Sequence, residues 1–380
     1  MKIIHVCLSS HYTEGMTYQD NLLPDQNAKD GHTVIVVSDC YKYEGGDLVK
    51  TQEEDRWLES GVRLVRFEYD RIISELVSRK VRKVHRLYGF LCFEKPDVVL
   101  FHGVAGWEML SVARYKRNNP YTKLYLDSHE DAHNSGTFWL SMFFQYKVFN
   151  RFIVNRIKKQ VDKFLYLSYE SKDFLHNIYR LSDAQLEFYP LGGYVVDESA
   201  RKEYDRAIRH KYGLRKNDIL IVHSGKLDAA KKTEQLLNAF YKVKCENLKI
   251  FIIGSIPDYM RPVLLPLIER DTRVIYLGWK NGDELVQYLC AADLYFQPGT
   301  QSATMQNAIC CGSPVALYPY PSHKPYLVGN GFYVECEQDY IHVFEEIIKN
   351  PSFLEGMKLN SIKIAENLLS YKKLAARLYK

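Results

Sequence analysis

No run of apolar residues in this chain is long enough to span a bilayer, so a membrane-crossing helix is excluded. Eight cysteines are scattered without a C-x-x-C pair or a cluster with histidine, which excludes a zinc site or disulfide framework and favours free thiols. No D-x-D pattern is present, so no metal is expected at a reactive centre. The absence of a short-period repeat excludes a solenoid. Acidic residues are missing altogether between Asp131 and Asp162. The opening Met1–Cys7 has too few apolar residues for a signal peptide and reads as a strand, which makes a cytoplasmic location the expectation.

The 380 residues give room for two domains, and 46% hydrophobic with 26% charged residues is a globular composition. The net charge of +5 is modest, so its distribution matters more than its total. An apolar run over residues 2–8, a polar loop holding Glu14 and Gly15, a helical segment to Lys29, and then Gly31-His32 before a second apolar run form the opening unit of a parallel α/β sheet. Further buried-type strands are predicted at 62–67, 97–102, 123–126 and 163–167. After Pro190-Leu191-Gly192-Gly193 the composition turns polar, and the pattern restarts with strands at 219–223, 249–253, 273–277, 294–296 and 314–317. The tail from Pro351 to Lys380 carries a helical apolar stripe.

Two segments of the second half carry chemistry. Val222–Lys232 is a strand running into Gly225, with Lys226 at once and Lys231-Lys232 shortly after. Cations at the carboxyl end of a parallel strand are placed to neutralise a diphosphate, whose charge rises as its sugar bond breaks. Ala291–Val315 is a strand running into Pro298-Gly299, a loop of small polar residues (Thr300, Gln301, Ser302, Ala303, Thr304), and a helix. Free backbone N–H groups and the positive dipole end at such a helix start suit a phosphate, and Thr300 or Ser302 suits the N-cap.

Together these segments resemble the nucleotide-binding half of family-4 retaining glycosyltransferases. Gly225-Lys226-Leu227 with Lys231 matches that family's G-R/K-L…K-G loop, with Lys232 where glycine is usual. Ala291-Ala292-Asp293 and Pro298 match its strand exit, and Asn307–Val315 matches E-A-x-A-x-G-x-P-V except at the first residue. Tyr276–Lys280, with Trp279, is similar to the loop bordering the base. Members commonly carry two glutamates with seven residues between them; Gly299 and Asn307 stand there instead. Asn307 can still hydrogen-bond a ribose hydroxyl, and Gln301 or Gln306 lies close by.

The resemblance implies an α/β fold of two Rossmann-like domains facing each other across a cleft, the GT-B architecture. An acceptor-binding domain is expected over 1–195, a nucleotide-sugar-binding domain over 196–360, and a terminal helix over 361–380 crossing back. It implies transfer of a sugar, with retention and without a metal, from a nucleotide-diphosphate sugar to a glycan or lipid-linked acceptor in surface polysaccharide biosynthesis. No cofactor is expected beyond the donor substrate, with UDP-sugar favoured. By the same resemblance His129, Lys226 and Lys231 act catalytically. Gly15, Gly225, Trp279, the residues Thr300–Thr304 and Asn307 join the lysines around the donor, while Glu14, Asp127 and Asp131 serve the acceptor. His102-Gly103 is a further cleft candidate. The rival readings are an epimerase or hydrolase of the same fold, and a non-catalytic nucleotide-sugar-binding partner.

Two basic stretches remain. Residues 71–91 read as one amphipathic helix with a cationic side, and residues 138–159 combine seven aromatics with five cations. Both suit an anionic membrane surface. Nucleic acid is not expected, since no binding module accompanies the charge.

Overall fold

Short apolar runs without polar alternation become parallel strands buried on both faces, and this chain has two sets of them. The computed structural model describes residues 1–16, 18–45, 47–130 and 138–380. Residues Met1–Pro190 and Tyr371–Lys380 form one unit, and Leu191–Ser370 the other. The sequence boundary at 195/196 thus lies five residues late, and residues 361–370 stay with the second unit.

The first unit contains β1 (Lys2–Cys7), β2 (Thr33–Asp39), β3 (Tyr41–Glu44), β4 (Asp47–Lys50), β5 (Glu54–Trp57), β6 (Arg63–Phe67), β7 (Val98–His102), β8 (Lys123–Ser128), β9 (Lys163–Tyr166) and β10 (Leu186–Phe188). Its sheet runs β10-β9-β8-β7-β1-β2-β6-β5, and β3–β4 is a separate hairpin. All pairings in the large sheet are parallel except β5 with β6. The aliphatic side chains of β1, β2, β7 and β8 are fully or almost fully buried beneath the flanking helices.

The second unit contains β11 (Ile219–Ser224), β12 (Leu248–Ile253), β13 (Val274–Gly278), β14 (Leu294–Gln297), β15 (Val315–Leu317) and β16 (Gly331–Tyr333), ordered β13-β12-β11-β14-β15-β16 and wholly parallel. Numbered within the unit, that order is 3-2-1-4-5-6, the dinucleotide-binding topology whose crevice opens where the winding direction reverses. The reversal falls between β11 and β14. In the first unit it falls between β1 and β7.

Three local expectations need correcting. The helix read over 71–91 is two helices, Glu75–Val81 and Leu87–Glu94, because Arg82 takes a left-handed conformation (φ 54°) that ends the first. The tail breaks as well: Ser352–Ile364 runs into a wider-wound turn at Ala365–Leu369, and Tyr371–Ala376 is a separate helix. Neither Thr300 nor Ser302 is the N-cap of the helix Thr304–Cys310; that position is Ala303. Among the described residues, no helix is long and apolar enough to cross a membrane.

Candidate functional site

Both chemically suggestive segments of the second unit leave its sheet at the reversal point. β11 hands over to the turn 225–232 and β14 to the loop 298–303. His223 latches them together: buried near the end of β11, its Nδ1 donates to the Phe296 carbonyl (2.8 Å) and its Nε2 accepts from Thr233 Oγ1 (2.9 Å). Burial, opposed by the Phe296 bond, holds its pKa down at about 4, so the ring stays neutral in both roles.

Gly225 turns the chain at φ +137°, and a methyl there would sit 2.9 Å from Lys231 Cε. Asp228 then caps a short 3-10 turn, its Oδ1 accepting from Lys231 N at 3.2 Å. Lys231 is only 6% exposed, and its Nζ donates to the Thr300 carbonyl at 3.1 Å. Desolvation pulls its pKa down and Asp228 pulls it up. A buried ammonium held mainly by a neutral carbonyl gains charge compensation when an anion arrives. Lys226, by contrast, is exposed, with no carboxylate within 4.0 Å among the described residues. Lys232 occupies a left-handed conformation (φ 57°) of the kind glycine adopts most readily; its ammonium stands 4.3 Å over the Tyr318 ring.

Across from this turn, Thr300 N donates to the Ala230 carbonyl at 3.1 Å. A Cβ at Gly299 would lie 2.2 Å from that carbonyl oxygen and 2.6 Å from Lys231 C. Glycine at 299 is therefore a packing requirement here: the loop lies directly on the lysine turn. Ser302 Oγ accepts from Thr304 N at 3.2 Å, which orders the start of the helix. Thr300, Gln301, Ala303 and Asn307 are exposed and Thr304 is half-buried. Gln306 is buried, with its amide donating to Tyr326 OH at 3.4 Å. Trp279 follows β13 with 70% of its surface exposed, directly before a helix fixed by an Asn281–Glu284 capping box.

At the carboxyl ends of the first sheet the structure places a buried row of polar groups. His5 Nε2 meets Asn27 Oδ1 (2.9 Å), and His5 Nδ1 meets His102 Nε2 (3.0 Å). His102 Nδ1 lies 2.7 Å from Asp127 Oδ2, a Coulombic contact rather than an aligned hydrogen bond. Asp127 Oδ1 accepts from Gly103 N at 2.8 Å and faces His129 Nε2 at 3.7 Å. Burial opposes charge on Asp127, but His102 and His129 overcome it and hold its pKa far below the ordinary carboxylate value. Desolvation likewise opposes charge on His129, and Asp127 outweighs it, raising its pKa to about 9. His129 is half-exposed and cationic at neutral pH. Asp127 is wholly buried: it supports imidazoles from beneath and offers no oxygen to an acceptor, which corrects the sequence expectation. Glu14 is bound by Arg56, and Gly15 (φ +75°) is exposed in the same loop. Asp131 lies outside the described residues. Among those described, no group of three or more His, Cys, Asp or Glu is arranged to hold a metal.

Residues 205–364 match the family model described as glycosyl transferases group 1. The matched stretch lies wholly within the second unit. No curated protein matches the chain in a sequence comparison. Solved structures match over nearly its whole length. Anabaena HepE, crystallised in complex with UDP, has a TM-score of 0.67 at 14% identity, covering 99% of this chain and 98% of that one. Sucrose-phosphate synthase from Thermosynechococcus elongatus gives 0.66 at 14%, covering 99% and 96%. WaaG, a glycosyltransferase involved in lipopolysaccharide biosynthesis, gives 0.63 at 15%, covering 99% of both. At such identities the likeness establishes the fold, which is the mixed α/β, parallel-sheet fold of GT-B glycosyltransferases.

The matched stretch contains Gly225, Lys226, Lys231, Trp279, Thr300–Thr304 and Asn307, and the sheet reversal brings the lysine turn and the polar loop together. His129 and Asp127 meet in the first unit beside His102. His5 went unnoticed in the sequence because, as one polar residue inside an apolar strand, it reads as an interruption. A second pair also escaped: His11, in a left-handed conformation (φ 55°) after β1, has Nδ1 2.5 Å from the buried carboxylate of Asp39, at the end of β2.

Proposed function

We propose that this protein is a glycosyltransferase that moves a sugar from a UDP-sugar to a glycan or lipid-linked acceptor, with retained anomeric configuration and without a metal, in surface polysaccharide biosynthesis. One observation carries the donor half: Lys231, buried at the reversal point of a 3-2-1-4-5-6 sheet, ties the 225–232 turn to the 298–303 loop, with exposed Lys226 beside it. In this reading the diphosphate lies over that junction. Lys226 and Lys231 stabilise the charge that builds on the leaving group, and the amides of the 300–304 loop add donors. Asn307 takes the ribose and Trp279 borders the base. His129, an imidazolium at neutral pH, donates a hydrogen bond to the transferred sugar.

The group 1 match and the neighbours solved with UDP support UDP as the nucleotide. Retention and metal independence rest on the family-4 resemblance, with ammonium and amide groups supplying the positive charge. The reading is tested by thermal melting with UDP, ADP and GDP, then by transfer from the UDP-sugars that stabilise, in EDTA, with the product's anomeric configuration read by NMR. A ligand at 100 times its Kd adds about 2.7 kcal/mol. UDP should stabilise most. No stabilisation by any nucleotide would overturn the donor assignment, and an inverted product would overturn retention.

A further inference from the structure

The helical stretch from Ser141 to Ile157, wound as a π-helix to Asn150 and as an α-helix from Arg151, is apolar on two opposite sides. Its inner side is accounted for: Ile153, Val154 and Ile157 are buried in the core of the first unit, and Met142, Tyr146 and Phe149 pack against it. Its outer side presents Phe143, Phe144 (60% exposed), Val148 and Phe152, continuing the exposed Phe138 and Trp139 (69%) just before it. A surface helix is normally polar where it faces water, so a second apolar side marks a contact surface.

Charge selects the partner. Lys147, Arg151, Arg156 and Lys159 lie along the same outer side, with no acidic residue from 138 to 161. The Arg156 guanidinium stands 4.4 Å over the Phe152 ring. Aromatics dominate the amino-terminal end of this edge and cations the carboxyl-terminal end. A second copy of the face offers no acidic residue to pair with these cations, whereas an anionic partner complements them. In the other basic stretch two cations are paired with acids, Arg86 with Glu53 and Lys83 at 4.0 Å from Asp70, and Arg79 packs over the Tyr41 ring, although Ile73 and Leu76 beside them are exposed.

We propose that residues 138–159 dock the protein on an anionic lipid surface, with the aromatic amino-terminal end seated at the headgroup–acyl boundary and the four cations against lipid phosphates. An amphipathic edge of aromatics and cations is the composition that lies in such an interface. This inference needs no donor and stands or falls separately from the transfer reaction.

The test is co-sedimentation of the full chain with phosphatidylcholine vesicles, with and without phosphatidylglycerol. Wild type should sediment only with phosphatidylglycerol, and less as salt rises. Phe143→Ser with Phe144→Ser should lower partitioning about tenfold or more while leaving the melting temperature nearly unchanged, since both rings are already half in water. Arg156→Glu with Lys159→Glu should abolish the preference for anionic vesicles. Trp139 emission should shift to the blue on binding, a change absent from Trp139→Phe. Equal sedimentation on neutral vesicles, unaltered binding by the double variants, or a vesicle-free dimer that the phenylalanine changes dissociate would overturn it.

Discussion

Gly299 lies so close to Ala230 that a single methyl group on it would stand 2.2 Å from the Ala230 carbonyl oxygen, and 2.6 Å from Lys231 C. Both obstacles are backbone, so neither can swing aside, and Thr300 N already uses that carbonyl at 3.1 Å. Gly299→Ala should therefore destabilise by about 1–3 kcal/mol and weaken UDP binding. Gly299→Glu, which introduces the carboxylate that the resemblance leads one to expect there, should do more damage. Denaturant midpoints and UDP-induced melting shifts check both. Recovery of activity by Gly299→Glu would show that the two loops separate easily and that the packing account is wrong.

The two donor-site lysines should fail differently. Lys226 is exposed, so Lys226→Ala should leave the unliganded melting temperature unchanged. It should cost UDP affinity about 1.5–3 kcal/mol, roughly ten- to a hundredfold in Kd, the usual value of a charge-assisted hydrogen bond. Lys231→Ala also orphans the Thr300 carbonyl, so it should lower stability by about 1–3 kcal/mol as well. Calorimetric titration with UDP, alongside unfolding without it, separates the two effects. Equal behaviour of the two variants would argue against the buried lysine joining the loops.

The last ten residues belong to the first unit, and Leu374 is their anchor. Its side chain is 1% exposed in a cluster with Ile3, Leu23, Val98 and Leu100, and its carbonyl accepts from Tyr189 OH at 2.7 Å. Arg377 adds bonds to Glu187 and to the Phe188 carbonyl. Leu374→Ala should cost about 2–5 kcal/mol. Because the donor loops belong to the 191–370 unit, UDP should still bind with nearly unchanged affinity. A loss of UDP binding as large as the loss of stability would refute that independence.

What the sequence disclosed follows from its physics. Parallel strands buried on both faces leave uninterrupted apolar runs, so most of β1, β2, β7–β9 and β11–β15 was legible. The edge strands β5, β10 and β16 and the β3–β4 hairpin are short and partly exposed, and lack that signal. Arg82 broke a helix that periodicity alone read as continuous, because left-handed backbone at a non-glycine residue leaves no compositional trace. In the donor site, Gly225, Lys226 and Lys231 were identifiable as a glycine turn delivering cations at a strand end. The reason for Gly299 was not, since it depends on a contact between segments about seventy residues apart. His5 and His102 are similar: only the sheet order, which sets β1 beside β7 and β7 beside β8, aligns them with Asp127.

That alignment makes acid stability testable. His5 is fully buried; burial first, and then neighbouring His102, depress its pKa to about 3 against the Asn27 bond, which opposes them. His223, in the other unit, is depressed to about 4 chiefly by burial. In the unfolded chain both titrate near 6.5. Between pH 6.5 and about 4 the unfolded state therefore binds more protons, so stability must fall as pH falls through that window. At pH 5 each group costs about 2 kcal/mol relative to pH 7 and above. His129 has the opposite sign: its pKa is raised to about 9, so its contribution is complete below pH 6.5 and disappears as pH rises through 9. Stability should peak between these limbs. Urea midpoints from pH 4.5 to 9.5 at fixed ionic strength trace the curve. His223→Gln, whose amide can bond to both Phe296 and Thr233, should cost some stability at pH 7 and flatten the acid limb of the second unit. His129→Gln should flatten only the alkaline one. An acid limb unchanged by His223→Gln would mean that the ring is protonated in the folded protein, and that the Thr233 hydroxyl accepts from it rather than donating.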